Sequence, residues 1–286
     1  MRIPAIINAK SGTADQARSA LAKNAAFEPV DVAPDDIASE VRKCVASGHR
    51  RILIAGGDGT IAAAAAVLAG GDTEFAVLPG GTLNHFARDL GISTEPAVAL
   101  ETAAGGTPRA VDVGMVNDQL FLNTVSVGAY VRFVKTRERL EQWCGYRLAS
   151  VIAAVRIFFQ FRLMTVELEV EGEKRIYRTA LVFIGVGERE LQLPSLGKRV
   201  KGGKRGLHVI VAQGRSRARL FASALNAVAR GVESAAEGPV LDSFVVDRCT
   251  ISHRRRGTLA IDGELVTLNA PFAFELRKDA LMVVTP

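Results

Sequence analysis

In the first ninety residues, short apolar runs alternate with segments whose apolar residues recur at helical spacing. The apolar runs predict strands at 4–7, 28–32, 51–55 and 75–79, and the helical spacing predicts helices at 13–23, 35–47, 61–68 and 83–90. Three of the strands run through a turn of small residues into a helix, which is typical of a parallel sheet with helices on its faces. Ligands of such sheets bind outside the carboxyl ends of the strands.

The pattern changes after Pro108 and becomes rich in strands. Apolar or alternating runs predict them at 121–128, 165–171, 175–186, 207–213, 244–253, 259–262, 265–269, 272–276 and 281–284. Helical spacing interrupts these strands at 131–162 and 215–233. We therefore expect a fold of class α/β plus all-β, in which an α/β domain with a parallel sheet is followed, from about residue 118, by an antiparallel β-sandwich domain.

The loop Gly56-Gly57-Asp58-Gly59-Thr60 joins a predicted strand to an alanine-rich helix. Glycine lets the backbone turn sharply and approach a ligand, and the first N–H groups of a helix favour an anion. Asp58 would repel a bare phosphate, so its presence indicates a divalent cation. The loop thus predicts a nucleotide-phosphate site that contains a metal. In the alternative interpretation, Asp58 or Thr60 only caps the helix.

Two further loops strengthen the first interpretation. The loops 8–12 and 80–82 follow other predicted strands and are also built from small or polar residues. All three loops would open onto the carboxyl edge of the sheet. Three such loops at one edge favour phosphate binding over three plain connectors, so we expect residues 1–117 to form a nucleotide-binding domain.

Composition and charge narrow the choice of partner and compartment. The 286 residues are 48% hydrophobic and 23% charged, which is typical of a globular protein with a large core and allows two domains. A net charge of +6 favours an acidic partner such as a nucleotide, a nucleic acid or an anionic membrane. Three scattered cysteines predict neither disulfides nor a zinc site, which fits a reducing cytosol. Because no apolar run approaches the ~20 residues of a spanning helix and no signal-peptide pattern opens the chain, we expect only peripheral membrane contact.

Positive charge is densest between Arg189 and Arg219, where nine basic residues accompany one acidic residue. A run of charge is most often a solvated surface. The alternative is adsorption to anionic lipid headgroups, at ~1 kcal/mol per basic residue near the surface. We expect no nucleic-acid partner, because the stretch contains no aromatic side chain on which a base could stack.

The dipeptide Asp262-Gly263 stands between two apolar runs and suits the type I′ turn of a hairpin. A turn is therefore the first interpretation. In the second, Asp262 and Glu264 supply the carboxylate that accepts a proton when a hydroxyl attacks phosphorus.

Considered together, the motifs at 8–12, 56–60, 78–88 and 262–264 resemble those of the diacylglycerol kinase catalytic-domain family, which includes bacterial soluble lipid kinases, sphingosine kinases and ceramide kinases. Their order and spacing match along nearly the whole chain. The resemblance implies an α/β nucleotide-binding domain at 1–117, to which 277–286 returns, and a β-sandwich lipid-substrate domain at 118–276. It also implies an active site in the cleft between them.

The resemblance implies roles for individual residues as well. Glu264 would accept the proton of the lipid hydroxyl, Asp262 would support the metal or the base, and Asp58 would serve the catalytic magnesium. The residues implied in ATP binding are Asn8, Ala9, Lys10, Ser11, Gly12, Gly56, Gly57, Asp58, Gly59, Thr60, Ile61, Gly81, Thr82 and Asn84.

The sequence departs from the family pattern at several acidic positions. His85 and Tyr130 stand where many members have aspartate. In bacterial relatives a structural magnesium lies near an Asp-Gly that precedes a Leu-Asp-Val strand, whereas this chain has residues 204–209, Lys-Arg-Gly-Leu-His-Val, in that region. Lysine does not ligate magnesium, so we expect this structural site to be absent, with basic side chains in its place.

The expected function is that of an ATP- and magnesium-dependent lipid kinase, cytoplasmic and peripherally bound to the inner membrane surface, with a homodimer as one candidate assembly. Its acceptor would be a hydroxyl of a diacylglycerol-like lipid or of a sphingoid or ceramide lipid. One alternative is an NAD-kinase-like enzyme, because that family also uses a Gly-Gly-Asp-Gly loop. Another is a catalytically silent module that binds lipid or nucleotide, because acidic residues are missing at Ala63, His85, Tyr130 and Lys204.

Overall fold

The computed structural model describes residues 2–128, 163–170, 172–190, 198–213, 241–252 and 256–286, together with eleven separate positions between 131 and 156. Each of these eleven positions is helical. The predicted helix at 215–233 and most of the one at 131–162 lie outside the described residues. The chain divides into two compact units: unit 1 is Met1–Val113 with Arg277–Pro286, and unit 2 is Gly114–Leu276.

Unit 1 alternates strands and helices along the chain. Its elements are β1 (Ile3–Asn8), α1 (Ala14–Leu21), β2 (Phe27–Val32), a 3₁₀ turn (Pro34–Asp36), α2 (Ile37–Ala46), β3 (Arg51–Gly56), α3 (Asp58–Leu68), β4 (Glu74–Pro79), α4 (His85–Asp89) and α5 (Pro96–Gly105). The strands pair side by side in the order β4-β3-β1-β2, and every pair is parallel. The carboxyl ends of all four strands therefore lie at one edge of the sheet.

The central strand of unit 1 is apolar on both faces because helices cover both sides of the sheet. Ile52, Leu53 and Ile54 of β3 are fully buried. Leu53 packs in a cluster with residues of α1 and α5, and successive side chains point to opposite faces, so Ile52 and Ile54 face the other way. The helices α2 and α3 pack against each other and against the strands. Burial on both faces makes β3 the rigid base from which the loop after Gly56 extends.

Unit 2 is dominated by strands. Two strands are shared with unit 1: β5 (Thr107–Val116) begins there and β15 (Phe272–Thr285) ends there. The strands wholly within unit 2 are β6 (Gln119–Phe121), β7 (Thr124–Gly128), β8 (Met164–Val170), β9 (Glu173–Val186), β10 (Leu207–Gln213), β11 (Leu241–Val246), β12 (Arg248–Ser252), β13 (Arg256–Ile261) and β14 (Glu264–Asn269). Their order is β14-β13-β7-β9-β8-β12-β15, with β10 paired to β9 and β11. The pairs described within unit 2 are antiparallel.

Unit 2 has an apolar core of its own. Phe121, Leu168, Ile184 and Phe274 contribute to one cluster of buried side chains. The rings of Phe121 and Phe274 meet edge to face, with 6.5 Å between their centroids, a favourable geometry for an aromatic pair. A parallel α/β unit followed by an antiparallel, strand-rich unit confirms the predicted fold class. The compact units divide after Val113, four residues before the boundary expected after residue 117. The assignment of a nucleotide-binding and a lipid-substrate domain to these parts stays a prediction.

Two strand predictions are wrong in detail. The run 244–253 is two strands, β11 and β12, which pair with different neighbours on either side of Asp247. Conversely, the runs 272–276 and 281–284 belong to the single strand β15, whose polar residues at 277–279 had suggested a break. Asp279 has a positive φ of 52°, and its N–H donates to the Asp112 carboxylate at 2.9 Å, so a tertiary contact keeps the strand continuous.

Two further elements were not predicted from the sequence. The helix α5 begins with Pro96, a residue that suits the first turn of a helix, but its apolar residues are mostly small alanines. The strand β5 carries polar residues in its first half and starts beside Pro108. Alanine is the strongest helix former, so the local sequence of α5 is compatible with a helix, whereas β5 is stabilised by its pairing with β6 and β15. Among the described residues, no helix combines the length and apolar composition needed to cross a bilayer.

A buried carboxylate joins two strands of unit 1 to the end of α5. Glu74 is only 5% exposed and accepts hydrogen bonds from Arg51 Nε at 2.6 Å and Arg50 Nε at 3.0 Å. The Arg51 guanidinium also donates to the carbonyl oxygens of Ala103 at 2.9 Å and Ala104 at 2.8 Å. These carbonyls end a helix and lack helical partners, so a cation there satisfies them. Arg51 thus connects the sheet to α5.

Replacing Arg51 tests how much this buried pair contributes to unit 1. We expect Arg51→Met to lower the free energy of unfolding by about 3–5 kcal/mol, because it leaves the Glu74 charge buried without its closest partner. The matched change Arg50→Met removes the solvent-exposed partner and should cost less than ~1 kcal/mol. Urea titration of both variants measures the difference. Equal losses in the two variants would contradict this assignment.

Candidate functional site

The loops that follow β1, β3 and β4 are joined by hydrogen bonds at the carboxyl edge of the unit 1 sheet. Asn8 Nδ2 donates to Thr60 Oγ1 at 2.8 Å, which links the first loop to the second. Thr13 Oγ1 donates to the Gly80 carbonyl at 2.8 Å, which links the first loop to the third. The Gly80 N–H donates to the Gly56 carbonyl at 2.8 Å. Residues 8–13, 56–60 and 80–84 therefore form one continuous surface, which we call the loop cluster.

Glycines in the loop cluster are required by the contacts between the loops themselves. A Cβ atom on Gly56 would stand 2.7 Å from the Thr60 side chain, and one on Gly80 would clash with Thr13 Oγ1. A Cβ on Gly81 would approach the Gly57 Cα to 3.0 Å. Cβ contacts shorter than 3.0 Å are essentially never made, so Gly56 lets its own loop fold back on Thr60 and Gly80 lets the third loop approach the first; a Cβ on Gly81 would force a small shift of Gly57.

The helix α3 begins at Asp58, directly in the loop cluster. Gly57 is its N-cap, and no side chain caps the helix, so the interpretation that Asp58 serves only as a cap is not supported. The Oδ1 atom of Asp58 is buried and has no hydrogen-bond partner among the described residues. A buried carboxylate oxygen without a partner is unfavourable, and a divalent cation prefers such oxygens. The chemistry at Asp58 therefore fits a magnesium ion.

The other residues predicted around the phosphates differ in what they offer. Asn8 accepts the Lys10 N–H at 3.0 Å, which shapes the first loop, while Ala9, Lys10 and Gly12 are exposed. Ile61 is fully buried and its N–H bonds to the Gly57 carbonyl at 3.0 Å, so neither group remains open to a ligand.

The third loop is closed by Asn84, which adopts the left-handed conformation with φ 50°. Its side-chain amide is used within the loop: Nδ2 donates to the Gly81 carbonyl at 2.7 Å, and Oδ1 accepts the Gly81 N–H at 2.8 Å. Asn84 therefore shapes the loop, while Thr82 is exposed at its tip. The same turn explains why α4 begins at His85, two residues later than the predicted helix.

A cavity of about 590 Å³ lies beside the loop cluster in unit 1. Its polar lining includes Thr13, Gln16, Thr82, Arg88 and Glu95. A cavity of this size is typical of small-molecule sites, and its polar groups could fix the orientation of a ligand. Gln16 and Glu95 were missed by the sequence analysis, because each stands outside any motif and reaches the cavity only through the packing of its element.

In unit 2, Asp262 and Gly263 form the two-residue turn between β13 and β14. Both residues have positive φ, 47° and 91°, and Ile261 pairs directly with Glu264 across the turn. These angles are those of a type I′ turn, so the predicted hairpin turn is confirmed. Glu264 is the first residue of β14 and its side chain is exposed.

The Asp262 carboxylate is occupied by backbone N–H groups of residues 122–124. Oδ2 accepts the Leu122 N–H at 2.7 Å, and Oδ1 accepts the N–H groups of Asn123 at 2.8 Å and Thr124 at 2.9 Å. Hydrogen bonds to an ionised acceptor are among the stronger ones in proteins. In this structure Asp262 thus holds a neighbouring segment in place. Of the predicted catalytic residues, Asp58 belongs to unit 1, whereas Asp262 and Glu264 belong to unit 2.

The region in which a structural magnesium was expected to be absent contains a histidine and arginines. Lys204 and Arg205 are exposed, whereas His208 is only 4% exposed. His208 Nδ1 accepts the Arg189 N–H at 2.8 Å, and its Nε2 lies 2.7 Å from Ser243 Oγ. Within the part of the chain that the structure describes, no group of three or more His, Cys, Asp or Glu side chains could hold a metal.

The position of His208 changes its acid–base behaviour. Burial is the main cause that lowers the pKa of His208 below its ordinary value. The Glu188 carboxylate opposes this effect, and the charge of Arg189 adds to it. The Arg189 N–H also requires an unprotonated Nδ1 as its acceptor. His208 is therefore held in the neutral form.

Acidification should destabilise the fold through His208. The unfolded chain binds a proton near the ordinary histidine pKa of about 6.5, whereas the folded chain binds it only at lower pH. The free energy of unfolding should therefore fall as pH decreases from about 6.5 towards the lowered folded pKa, and this loss should stop below it. Urea titrations between pH 7.5 and 5 measure it. His208→Gln should flatten the dependence, while the exposed control His85→Gln should keep it; an unchanged slope in His208→Gln would refute this role.

The glycine contacts can be tested with two alanine substitutions. Gly80→Ala should lower the free energy of unfolding by about 1–3 kcal/mol, because the new Cβ displaces the Thr13 hydroxyl. Gly105→Ala adds the same atom where nothing lies within 4 Å, and should change stability by less than ~0.5 kcal/mol. Thermal and urea unfolding provide the measurement. A Gly80→Ala protein as stable as Gly105→Ala would show that the loops do not need this approach.

Sequence comparison relates the loop cluster to known kinases. Residues 2–116 match the diacylglycerol kinase catalytic domain. A protein of Pseudomonas putida KT2440 named probable lipid kinase YegS-like is 35% identical over 151 residues, which cover 51% of this chain and 50% of that protein. A diacylglycerol kinase of Mycobacterium tuberculosis H37Rv is 28% identical over 137 residues, covering 46% of this chain and 44% of that protein.

The fold is also found among solved structures. This chain superposes on the crystal structure of a diacylglycerol kinase from Bacillus anthracis Sterne with a TM-score of 0.71. The alignment covers 100% of this chain and 97% of that chain, at 19% sequence identity. At that identity the similarity establishes the fold alone. The sequence matches span about half the length of the curated relatives, and the whole loop cluster lies inside the matched domain. By sequence, residues 2–116 are therefore similar to the diacylglycerol kinase catalytic domain.

Proposed function

We propose that the protein is an ATP-dependent lipid kinase that transfers the γ-phosphate to a hydroxyl of a diacylglycerol-like lipid or of a sphingoid or ceramide lipid. The observation that carries this proposal is the loop cluster, in which glycine-rich backbone meets a buried Asp58 oxygen that has no partner among the described residues. The loop cluster lies within residues 2–116, which match the diacylglycerol kinase catalytic domain. The names of the relatives, lipid kinase and diacylglycerol kinase, support a lipid as the acceptor.

ATP would bind with its phosphates against the loop cluster. Residues 8–12 and 56–60 combine small side chains with the start of α3, and Lys10 adds an exposed positive charge. Free N–H groups at a helix start and closely approaching glycine backbone are well suited to phosphate oxygens. The nucleoside would enter the adjoining cavity, whose lining includes Thr82 and Gln16.

Asp58 would hold the magnesium ion, because its buried Oδ1 atom has no other partner in the part of the chain that the structure describes. A magnesium ion at Asp58 would supply positive charge that offsets the negative charge of the phosphates during transfer. Asp262 is a weaker candidate for this task, since both of its oxygens accept backbone N–H groups. We therefore assign Asp262 to the support of the base, the other of its two proposed roles.

Glu264 would act as the general base of the transfer. As the lipid hydroxyl oxygen forms its bond to the γ-phosphorus, the bond from that phosphorus to the β,γ-bridging oxygen breaks, and ADP leaves with the electron pair. The hydroxyl proton passes to the Glu264 carboxylate. The type I′ turn supports this role, because it fixes the backbone from which the exposed Glu264 side chain projects.

The direct test is phosphoryl transfer from radiolabelled ATP to a panel of diacylglycerol, sphingosine and ceramide, with NAD as a soluble acceptor. The native chain should label a lipid. Glu264→Gln should lower kcat by about 10²–10⁴-fold and leave the Kd for ATP unchanged within about twofold, because it removes only the proton acceptor. Glu173→Gln, an exposed change at the start of β9, is the control and should retain native kcat.

The same assay separates the alternatives. Labelled NADP with unlabelled lipids would identify an NAD-kinase-like enzyme instead. Absence of transfer to any acceptor, from folded protein that binds ATP, would favour a silent binding module. A Glu264→Gln protein with native kcat would show that another group accepts the proton.

We also propose that the protein works at an anionic membrane surface, because a lipid acceptor lies in a membrane and positive charge is dense in one stretch of unit 2. Lys198, Lys201 and Lys204 are all exposed on one short stretch of unit 2. Basic residues close to a cytoplasmic leaflet are attracted by ~1 kcal/mol each. These three lysines would therefore contact the lipid headgroups.

Changing these three lysines to glutamate should weaken binding to phosphatidylglycerol vesicles by roughly 100-fold or more in sedimentation assays, since three favourable charges are lost and three unfavourable ones appear. A control with the same charge change in unit 1, at Lys23, Arg42 and Arg109, should bind at least ~10-fold more tightly than the first variant. Equal binding by the two variants would remove the basis for a specific contact surface.

A further inference from the structure

Arg189 is a buried cation that the proposed chemistry does not use. It is only 3% exposed. Its Nη2 atom donates to the Val186 carbonyl at 2.8 Å and to the Asn123 carbonyl at 3.1 Å. Burial of a guanidinium is costly unless its hydrogen bonds are made, so an arginine at this position calls for a specific explanation.

One of these contacts reaches segment 122–124, whose N–H groups bind the Asp262 carboxylate of the β13–β14 turn. Two charged side chains bind the backbone of Asn123. Arg189 donates to its carbonyl oxygen, and the Asp262 carboxylate accepts its N–H at 2.8 Å. The Val186 N–H donates to the same carbonyl at 2.9 Å. A continuous set of hydrogen bonds therefore runs from Arg189 through Asn123 to Asp262, two residues before Glu264.

We propose that Arg189 is a positioning residue for Glu264, which it orients through the Asn123 peptide and the Asp262 carboxylate. This inference rests on the proposed role of Glu264 as the base. The exposed Glu264 side chain depends on its backbone for its position, and that backbone is fixed by the Asp262 turn. Segment 122–124 can hold Asp262 only if the segment itself is held, and Arg189 adds a charged contact to the restraint that the Val186 N–H provides.

The surroundings of Arg189 are built to keep it in place. His208, itself close to Ser243 Oγ, accepts the Arg189 N–H and so fixes its backbone. A Cβ atom on Gly185 would stand 2.7 Å from Arg189 Cγ, so a glycine at 185 leaves the room that the arginine stem occupies. The alternative is a purely structural role, in which Arg189 only stabilises the end of β9. The two readings differ in what happens at the N–H groups of residues 122–124.

Amide hydrogen exchange of the full chain, measured by mass spectrometry without ligand, distinguishes them. In Arg189→Met the amides of residues 122–124 should exchange at least ~10-fold faster than in the native protein, because opening of this segment no longer breaks the Arg189 contact. Ile251→Val, a loss of one buried methyl group in β12, is the control for general destabilisation and should leave these amides at the native rate. If Arg189→Met does not fold, Arg189→Gln takes its place, since its shorter side chain cannot span to the Asn123 carbonyl.

Kinetics provides the second readout. Arg189→Met should lower kcat by about 10–100-fold with the KM for ATP unchanged within about twofold, because misplacing the base affects the chemical step and not the nucleotide loops. Ile251→Val should keep the native kcat. Native exchange at residues 122–124 in the arginine variant, or a kcat loss no larger than in Ile251→Val, would overturn the proposal. If the native chain transfers phosphate to no acceptor, the proposed function fails, while faster exchange still supports the link from Arg189 to Asp262.

Discussion

The close approach of three backbone loops at one sheet edge is the constraint on which the site in unit 1 depends. The Gly80 N–H donates to the Gly56 carbonyl, and the Thr13 hydroxyl, which donates to the Gly80 carbonyl, leaves no room for a Cβ on Gly80. Buried parallel strands hold the loop ends at fixed spacing, and Asn8, Thr13 and Thr60 tie them together. The glycines are therefore needed for the assembly of the loops even before a ligand is considered.

Asp58 and Asp262 differ in whether their carboxylate oxygens have hydrogen-bond partners, and this difference indicates different roles. Asp262 has three backbone N–H groups on its oxygens and serves as an anchor for the segment 122–124. Asp58 keeps a buried oxygen with no described partner, although burial of such an atom is unfavourable. A buried polar atom without a hydrogen-bond partner indicates a ligand site, because the fold keeps it at a cost in stability. A buried polar atom whose hydrogen bonds are all made indicates a structural role. The same reasoning applies to Arg189, whose buried guanidinium donates to the carbonyl oxygen of Asn123.

Sequence reasoning succeeded where the signal is local. The Asp262-Gly263 pair predicts a type I′ turn because few other residues tolerate two positive φ angles in succession, and the turn is present. It failed where a distant partner decides. Asp279 continues β15 because Asp112 binds its N–H, and the run 244–253 is divided because its two halves pair with different strands. Within the site, the Asn84 amide closes its own loop, and the contact of Asn84 with a nucleotide stays a prediction.

By itself, the sequence determined the class of both units, the positions of the glycine loops and the turn before Glu264, because each follows from periodicity or from backbone preferences that operate over a few residues. Only the tertiary structure decided which polar atoms are satisfied. The Asp262 carboxylate meets N–H groups some 140 positions away along the chain, Arg189 meets Asn123 across 66 positions, and Asp58 meets none in the described residues. Such pairings depend on how strands are brought side by side, and no local pattern encodes them.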